Sequence, residues 1–201
     1  MDAIRARLDA FPTNLAPLVE AARGLLGRPC ALSSDGVMFL GHRPWVAPEN
    51  YAITLYPGVT GDALRRYCER WGLSVPGPYS DFLAVVSGAF CFGMSLAGLP
   101  PSMLGEPPLL DRSRLWCHDL ASVATRWTAE YRRVSPDAFH FGYRHFSRRE
   151  NIGYFFDGDR IVSIRKSGRV VGEWGGFSDF LRDELRASEQ LDAELHPAPP
   201  A

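Results

Sequence analysis

Apolar residues recur along the chain with two different periods, and the switches between them divide it into elements. Residues 2–11 place Ile4, Leu8 and Phe11 on one helical face, and residues 14–26 place Leu15, Leu18, Val19, Ala22 and Leu26 on another. Pro12 is expected to break the passage between them, and Gly27 and Pro29 to end the second helix. Strand character follows at Val37-Met38-Phe39-Leu40 and Tyr51-Ala52-Ile53-Thr54-Leu55, the first entered through a turn at Ser33-Ser34-Asp35-Gly36. Helical spacing returns with Leu64, Tyr67, Cys68 and Trp71. Thr60 is the predicted N-cap, Asp62 suits the positive end of the helix dipole, and Gly72 is the predicted stop. A second helix over residues 76–86 buries Tyr79, Phe82, Leu83 and Val86 and is expected to end at Gly88.

Short strand-like runs then appear at Ala89-Phe90-Cys91-Phe92 and Met94-Ser95-Leu96, followed by a Pro/Gly-rich loop over residues 100–108. Residues 119–131 read as a helix. Four β-runs come next: Phe139-His140-Phe141-Gly142-Tyr143, Gly153-Tyr154-Phe155-Phe156, Ile161-Val162-Ser163-Ile164 and Val170-Val171-Gly172-Glu173-Trp174. Asp157-Gly158-Asp159-Arg160 and Lys166-Ser167-Gly168-Arg169 have the composition of hairpin connections. In the last helix Phe177, Phe180, Leu181 and Leu185 face inward, with Ser178 as predicted N-cap and Phe177–Leu181 as a hydrophobic staple. The order predicts an α+β fold: a mixed, largely antiparallel sheet with helices packed mainly on one side. The expected organisation is an N-terminal helical and strand extension over residues 1–48, a main domain over 49–190, and a Pro-rich, disordered tail over 191–201.

With 201 residues, 46% of them hydrophobic, the chain can build one core without disulfides or metal. The four cysteines, Cys30, Cys68, Cys91 and Cys117, form no CxxC pair and sit among apolar neighbours. They read as reduced thiols in a reducing, cytoplasmic setting. No uncharged apolar run reaches the roughly 18 residues that span a bilayer, so no membrane partner is expected. A net charge of −1 argues against a nucleic-acid polycation. Charge is nevertheless uneven: residues 112–169 carry 12 basic and 6 acidic side chains, and residues 170–201 carry 2 and 7. The last helix is expected to lie beside the basic segment and neutralise it.

Candidate chemistry is sparse. The five histidines have no metal-ligand spacing, and His140 and His145, five apart on a strand, are expected on opposite faces. Neither a Gly-x-Ser-x-Gly elbow nor a phosphate loop is present. His118-Asp119 suits a helix start, and Asp157 with Asp159 a hairpin turn. A remote hydrolase or metal-enzyme alternative would have to assemble His118, Asp119, His140 and Asp157. No catalytic residue, metal or cofactor is therefore expected. Trp71, Tyr79, Phe82, Phe90, Trp116 and Trp174 read as core. Residues 143–151 read as a long exposed hairpin loop combining arginine with aromatics. Tyr143, Arg144, His145, Arg148 and Arg149 are its candidate partner-binding residues; an RNA surface could use the same types, and so could a plain solvated loop.

Several motifs occur in an order that resembles the SUKH superfamily. Trp71-Gly72-Leu73-Ser74-Val75-Pro76-Gly77-Pro78-Tyr79-Ser80-Asp81-Phe82-Leu83 is similar to its signature, a short helix ending before a Pro-x-x-Tyr-x-x-Phe-Leu helix. Ser87-Gly88-Ala89-Phe90 stands where members carry Asn-Gly and an aromatic strand. Leu96-Ala97-Gly98-Leu99 resembles the family's Leu-Tyr-Gly-Leu, with Ala97 at the usual tyrosine. Asp119-Leu120-Ala121, Phe139-His140-Phe141-Gly142, and Trp174 with Phe180-Leu181 complete the series over residues 50–188. The resemblance implies a protein-binding domain without catalysis. Bacterial members act as immunity proteins that block a cognate toxin, often a nuclease; yeast members act as regulators of cell-wall synthesis. A toxin domain is thus the implied partner, and a regulatory or scaffold role the alternative.

Overall fold

The structure, a computed structural model, describes residues 1–100, 117–147 and 150–199. Among these residues nine strands form one sheet in sequence order. They are β1 (Ala31–Leu32), β2 (Met38–His42), β3 (Tyr51–Pro57), β4 (Val86–Cys91), β5 (Met94–Leu96), β6 (Phe139–Ser147), β7 (Glu150–Asp157), β8 (Arg160–Arg165) and β9 (Val170–Trp174). Every named strand pair is antiparallel; the one parallel contact among the described residues is an isolated bridge between Gly98 and Asp119. Six helices accompany the sheet: α1 (Asp2–Asp9), α2 (Ala16–Gly24), α3 (Gly61–Trp71), α4 (Gly77–Val85), α5 (Leu120–Thr125) and α6 (Phe177–Leu195). The fold is α+β. Expectations for the loop over 100–108 and for Trp116 fall almost wholly outside the described residues.

Period-two alternation sends Met38, Leu40, Ile53, Leu55, Ala89, Cys91, Met94 and Leu96 to one face, in register across β2 to β5. That face shares the main core with apolar residues of α1, α2, α4 and α6. Its aromatic centre is Tyr79 and Phe82 on α4, Phe177 and Phe180 on α6, and Phe141, Tyr154 and Phe156 from the sheet. Tyr79 is fully buried, and its hydroxyl reaches the carbonyls of Ala97 and Phe141. Burying each such ring stabilises the fold by roughly 1.5–3 kcal/mol. Deep in this layer the Arg144 guanidinium pairs with the Glu184 carboxylate, which also accepts from the Tyr154 hydroxyl.

Local signals were realised at both ends of α3. Thr60 accepts a hydrogen bond from the Ala63 N–H, and Gly72 closes the helix with φ 63°. Elsewhere tertiary packing overrode them. Gly88 does not end α4: the chain enters β4 directly at Val86, which is fully buried and pairs with Pro57. Residues 119–131 divide into α5, capped by Asp119, and a 3-10 turn at Trp127–Glu130. Ser178 is not the N-cap of α6. Gly176 holds that place and Phe177 opens the helix, because the phase is set by burying Phe177, Phe180, Leu181, Glu184, Leu185 and Ser188. Trp71 is 41% exposed rather than core, with the Arg70 guanidinium over its ring.

The ends of the chain are more integrated than expected. Ile4, Leu8, Leu15 and Leu18 belong to the same core as the sheet, so residues 1–48 complete the domain instead of extending it. Helix α6 runs through residues 191–195. Arg43 clamps its Asp192, and the Trp45 indole donates to the His196 carbonyl. Neutralisation of the basic segment is shared: Arg144 pairs with Glu184 of the last helix and Arg160 with Asp157 and Glu173, while Arg165 pairs with Glu150 and Lys166 with Glu130. No helix among the described residues is long and apolar enough to cross a membrane.

Candidate functional site

The other face of the sheet is organised differently. One cross-strand row runs Phe39, Thr54, Phe90, Ser95, Tyr143, Gly153 and Ile164 from β2 to β8. Large and small residues alternate along it up to Gly153, leaving a depression beside each ring. Over β6 to β8 the depressions are filled by residues 117–138. Tyr131 lies over Gly153, where a Cβ would come within 2.7 Å of its ring, and packs with Phe155, Val162 and Ile164 in a second small core. His140 stacks on Phe155 with 4.3 Å between ring centroids and is 1% exposed. Burial lowers its pKa from 6.5 to about 4, against the opposing hydrogen bond to the Gly142 carbonyl.

Next to it, His118 is enclosed by Phe90, Trp127 and Tyr143, with ring centroids 5.0–5.4 Å away. Its Nε2 lies 2.8 Å from the Tyr143 hydroxyl. Burial lowers the His118 pKa and raises that of Tyr143, so this contact joins two neutral groups near neutral pH. Asp119 points away from it: its carboxylate caps α5 through the Ser122 N–H and accepts from the Tyr67 hydroxyl. Asp157 is held by Arg160 at the β7–β8 turn. The four residues of the hydrolase alternative are thus engaged in separate contacts. No group of three or more metal-ligating side chains occurs among the described residues.

Over β2 to β4 the face is different again. Phe39, Tyr51, Thr54 and Phe90 are only half-buried and floor a cavity of about 440 Å³. Val46 and Ala47, on the connection between β2 and β3, wall one side, and Glu49 and His145 lie on its rim. The floor is pre-ordered: Tyr51 packs on Phe39 and on His42, and the Tyr56 ring meets Phe90 edge-on. Arg43 fixes the β2–β3 connection from below through Asn50 Oδ1 at 2.9 Å and through Asp192. The nearby thiol of Cys117 is pushed up to about 12 by burial, which keeps it protonated and unreactive. All four cysteines are free.

The sequence-derived candidates separate here. Residues 143–147 are not a loop but the end of β6, paired directly to β7. Tyr143 and His145 face the aromatic side. Arg144 faces the opposite side, half-buried against the buried Glu184, and is a structural residue. His145 is exposed, with Nδ1 2.8 Å from Asn151 Oδ1. Arg148 and Arg149 lie outside the described residues. His140 and His145 share a face, contrary to their odd spacing, because a register shift between His140 and Gly142 changes the parity of the strand. Phe39 and Tyr51 were missed. For Phe39 the available signal was a large aromatic in the outward phase of a strand whose inward phase was already filled by Met38 and Leu40; Tyr51 shares the sequence phase of Ile53 and Leu55, so alternation gave no such signal for it.

Comparison with known proteins finds no match among family models, curated proteins or solved structures. The functional assignment therefore rests on the site itself and on the motif order.

Proposed function

We propose that this chain is a non-enzymatic protein-binding domain that receives its partner on the aromatic groove over β2 to β4. The observation that carries the proposal is the cluster of half-buried rings, Phe39, Tyr51 and Phe90, held on a rigid sheet beside a clamped loop. Aromatic side chains bring large contact area with few rotors to freeze, which is why they dominate interface energetics. A pre-ordered floor lowers the entropy cost of docking.

In its most concrete form the partner is a bacterial toxin domain, and the chain is its immunity protein, acting in the cytoplasm. Support comes from the SUKH-like order of motifs over residues 50–188. Neutralisation would be steric, with a standard interface of about 1,600 Å² covering the toxin's active site. The experiment is co-expression with each toxin candidate encoded beside the gene, scored as survival, with Tyr51→Arg and Phe90→Glu variants in parallel. Rescue by the parent chain and loss of rescue by folded groove variants is the expected outcome. Rescue that survives both substitutions would move the partner off this surface. Failure against every neighbouring toxin, with a housekeeping enzyme captured instead, would favour the regulatory alternative.

A further inference from the structure

The aromatic groove carries one unspent charge. Arg43 and Asp192, both in its lining, are closed on each other, and Arg43 also donates to Asn50 Oδ1. Glu49 is different. It stands exposed on the rim, and its carboxylate has no ion pair or hydrogen bond among the described residues. Tyr51 follows two residues later, half-buried on the floor with Phe90. His145, also on the rim, donates from Nδ1–H to Asn151 Oδ1, which leaves its Nε2 an acceptor. The Cδ2 edge of the same ring lies over Gly93 of the lining, 3.5 Å from where a Cβ would stand.

We infer that the groove takes an arginine side chain of the partner protein. This rests on the protein-binding reading of the groove and names what enters it. Arginine is a planar cation with five N–H donors and no acceptor; it lies flat on a ring while its edge donates to a carboxylate. The groove holds the counterparts: the rings of Tyr51 and Phe90, the Glu49 carboxylate and the acceptor nitrogen of His145. A lysine ammonium would answer the charge but not the plane. An apolar anchor would cover Glu49 and His145 without bonding them, and an acidic one would oppose Glu49. A cavity of about 440 Å³ has the size of sites that enclose a small ligand, so it admits a long side chain whole. Both recognising groups are in place beforehand. Tyr51 packs on Phe39 and His42 with ring centroids 5.2 and 5.0 Å away, and Arg43 ties down the connection that carries Glu49.

The test needs no toxin, so it can fail separately from the proposed function. N-acetyl-arginine methylamide titrated into the isotope-labelled chain should shift the amide resonances of residues 49–51 and Gly93 saturably. The expected dissociation constant is on the order of 1 mM. The neutral citrulline derivative should bind about fivefold more weakly, and the apolar norleucine derivative more weakly still. Glu49→Gln, at an exposed position, should weaken the arginine derivative about threefold and leave the citrulline derivative unchanged. Tyr51→Ser, with unchanged circular dichroism, should weaken the arginine derivative about fivefold. Norleucine binding as tightly as arginine overturns the inference. So does the absence of shifts in the groove, or a Glu49→Gln variant that binds arginine as the parent does. In co-expression with the toxin, rescue lost in Tyr51→Arg but intact in Glu49→Lys would keep the partner on the groove and exclude the arginine.

Discussion

The two faces of the sheet solve the same packing problem in opposite ways. On the helix-covered face the inward positions are large, mutually buried and tied together by internal bonds: the Tyr79 hydroxyl to two backbone carbonyls, and Arg144 with Tyr154 to Glu184. On the back face large and small residues alternate, and what fills the gaps changes along the row. Residues 117–138 fill them over β6 to β8, and over β2 to β4 a groove remains. The lesson is that most of the family-like motif residues specify the covered face, and Phe90 is the motif residue that reaches the candidate groove. Tyr79, Phe82, Leu83, Phe180 and Leu181 are all fully buried on the covered face, where they specify the fold. Besides Phe90, the groove draws on Phe39 and Tyr51 and on the connection between β2 and β3, outside or at the margin of the motif series.

The sharpest way to break the contrast is through the covered face. Glu184→Ala leaves the half-buried Arg144 guanidinium without its counter-charge and the buried Tyr154 hydroxyl without its acceptor, and should cost about 3 kcal/mol, read from urea denaturation. The double replacement Arg144→Met with Glu184→Leu should recover most of that loss. If Glu184→Ala proved neutral, the pair would be solvated rather than buried.

The covered half of the back face should be the acid-sensitive part. The folded-state pKa of His140, about 4, lies below its ordinary 6.5, so the unfolded chain takes up the proton first. Stability from this residue is complete above pH 6.5, falls as the pH drops from there to about 4, and levels off below. The full swing is on the order of 3 kcal/mol. Urea midpoints across this window should fall less steeply in His140→Phe, which keeps a ring stacked on Phe155; an identical slope would assign the acid response to other groups.

A smaller effect tests the bonds within the covered core. Tyr79→Phe keeps the ring and removes the hydroxyl from the carbonyls of Ala97 and Phe141, for an expected loss of about 1–3 kcal/mol in thermal or urea unfolding. The smallest stability effect belongs to the groove. Tyr51→Ser should change unfolding free energy by less than about 1 kcal/mol. It should nevertheless weaken calorimetrically measured binding to the cognate partner by about 2 kcal/mol or more. A variant that lost stability and kept affinity would reverse the roles assigned to the two faces.

Much of this was legible in the chain. Period-two and helical spacing identified the strands and helices, because each element needs an apolar face to bury. The caps at Thr60 and Gly72 are local chemistry and stayed where they were expected. The misplaced features were non-local. Trp71 sits on a helical stripe yet lies exposed, since a helix's last residue need not meet the core. The phase of α6 follows the pocket that Phe177 enters rather than the capping power of Ser178. Arg144 looked like an interface arginine because its neighbours are polar; only the register of β6 against β5 and β7 turns it inward. His145 reached the groove's rim through a register shift that residue spacing does not encode.

The sequence by itself determined the class of fold, the sheet-forming runs and the absence of recognisable catalytic spacing, all of which depend on residues near one another in the chain. The tertiary structure decided which ring is core and which is floor of a groove. That choice depends on what lies across the sheet: a buried Tyr79 and a half-buried Tyr51 are both aromatics in apolar runs, and α6 packs over only one of them. It also decided that the chain's two ends belong to one core, because Ile4, Leu8 and Leu185 share their neighbours in space alone.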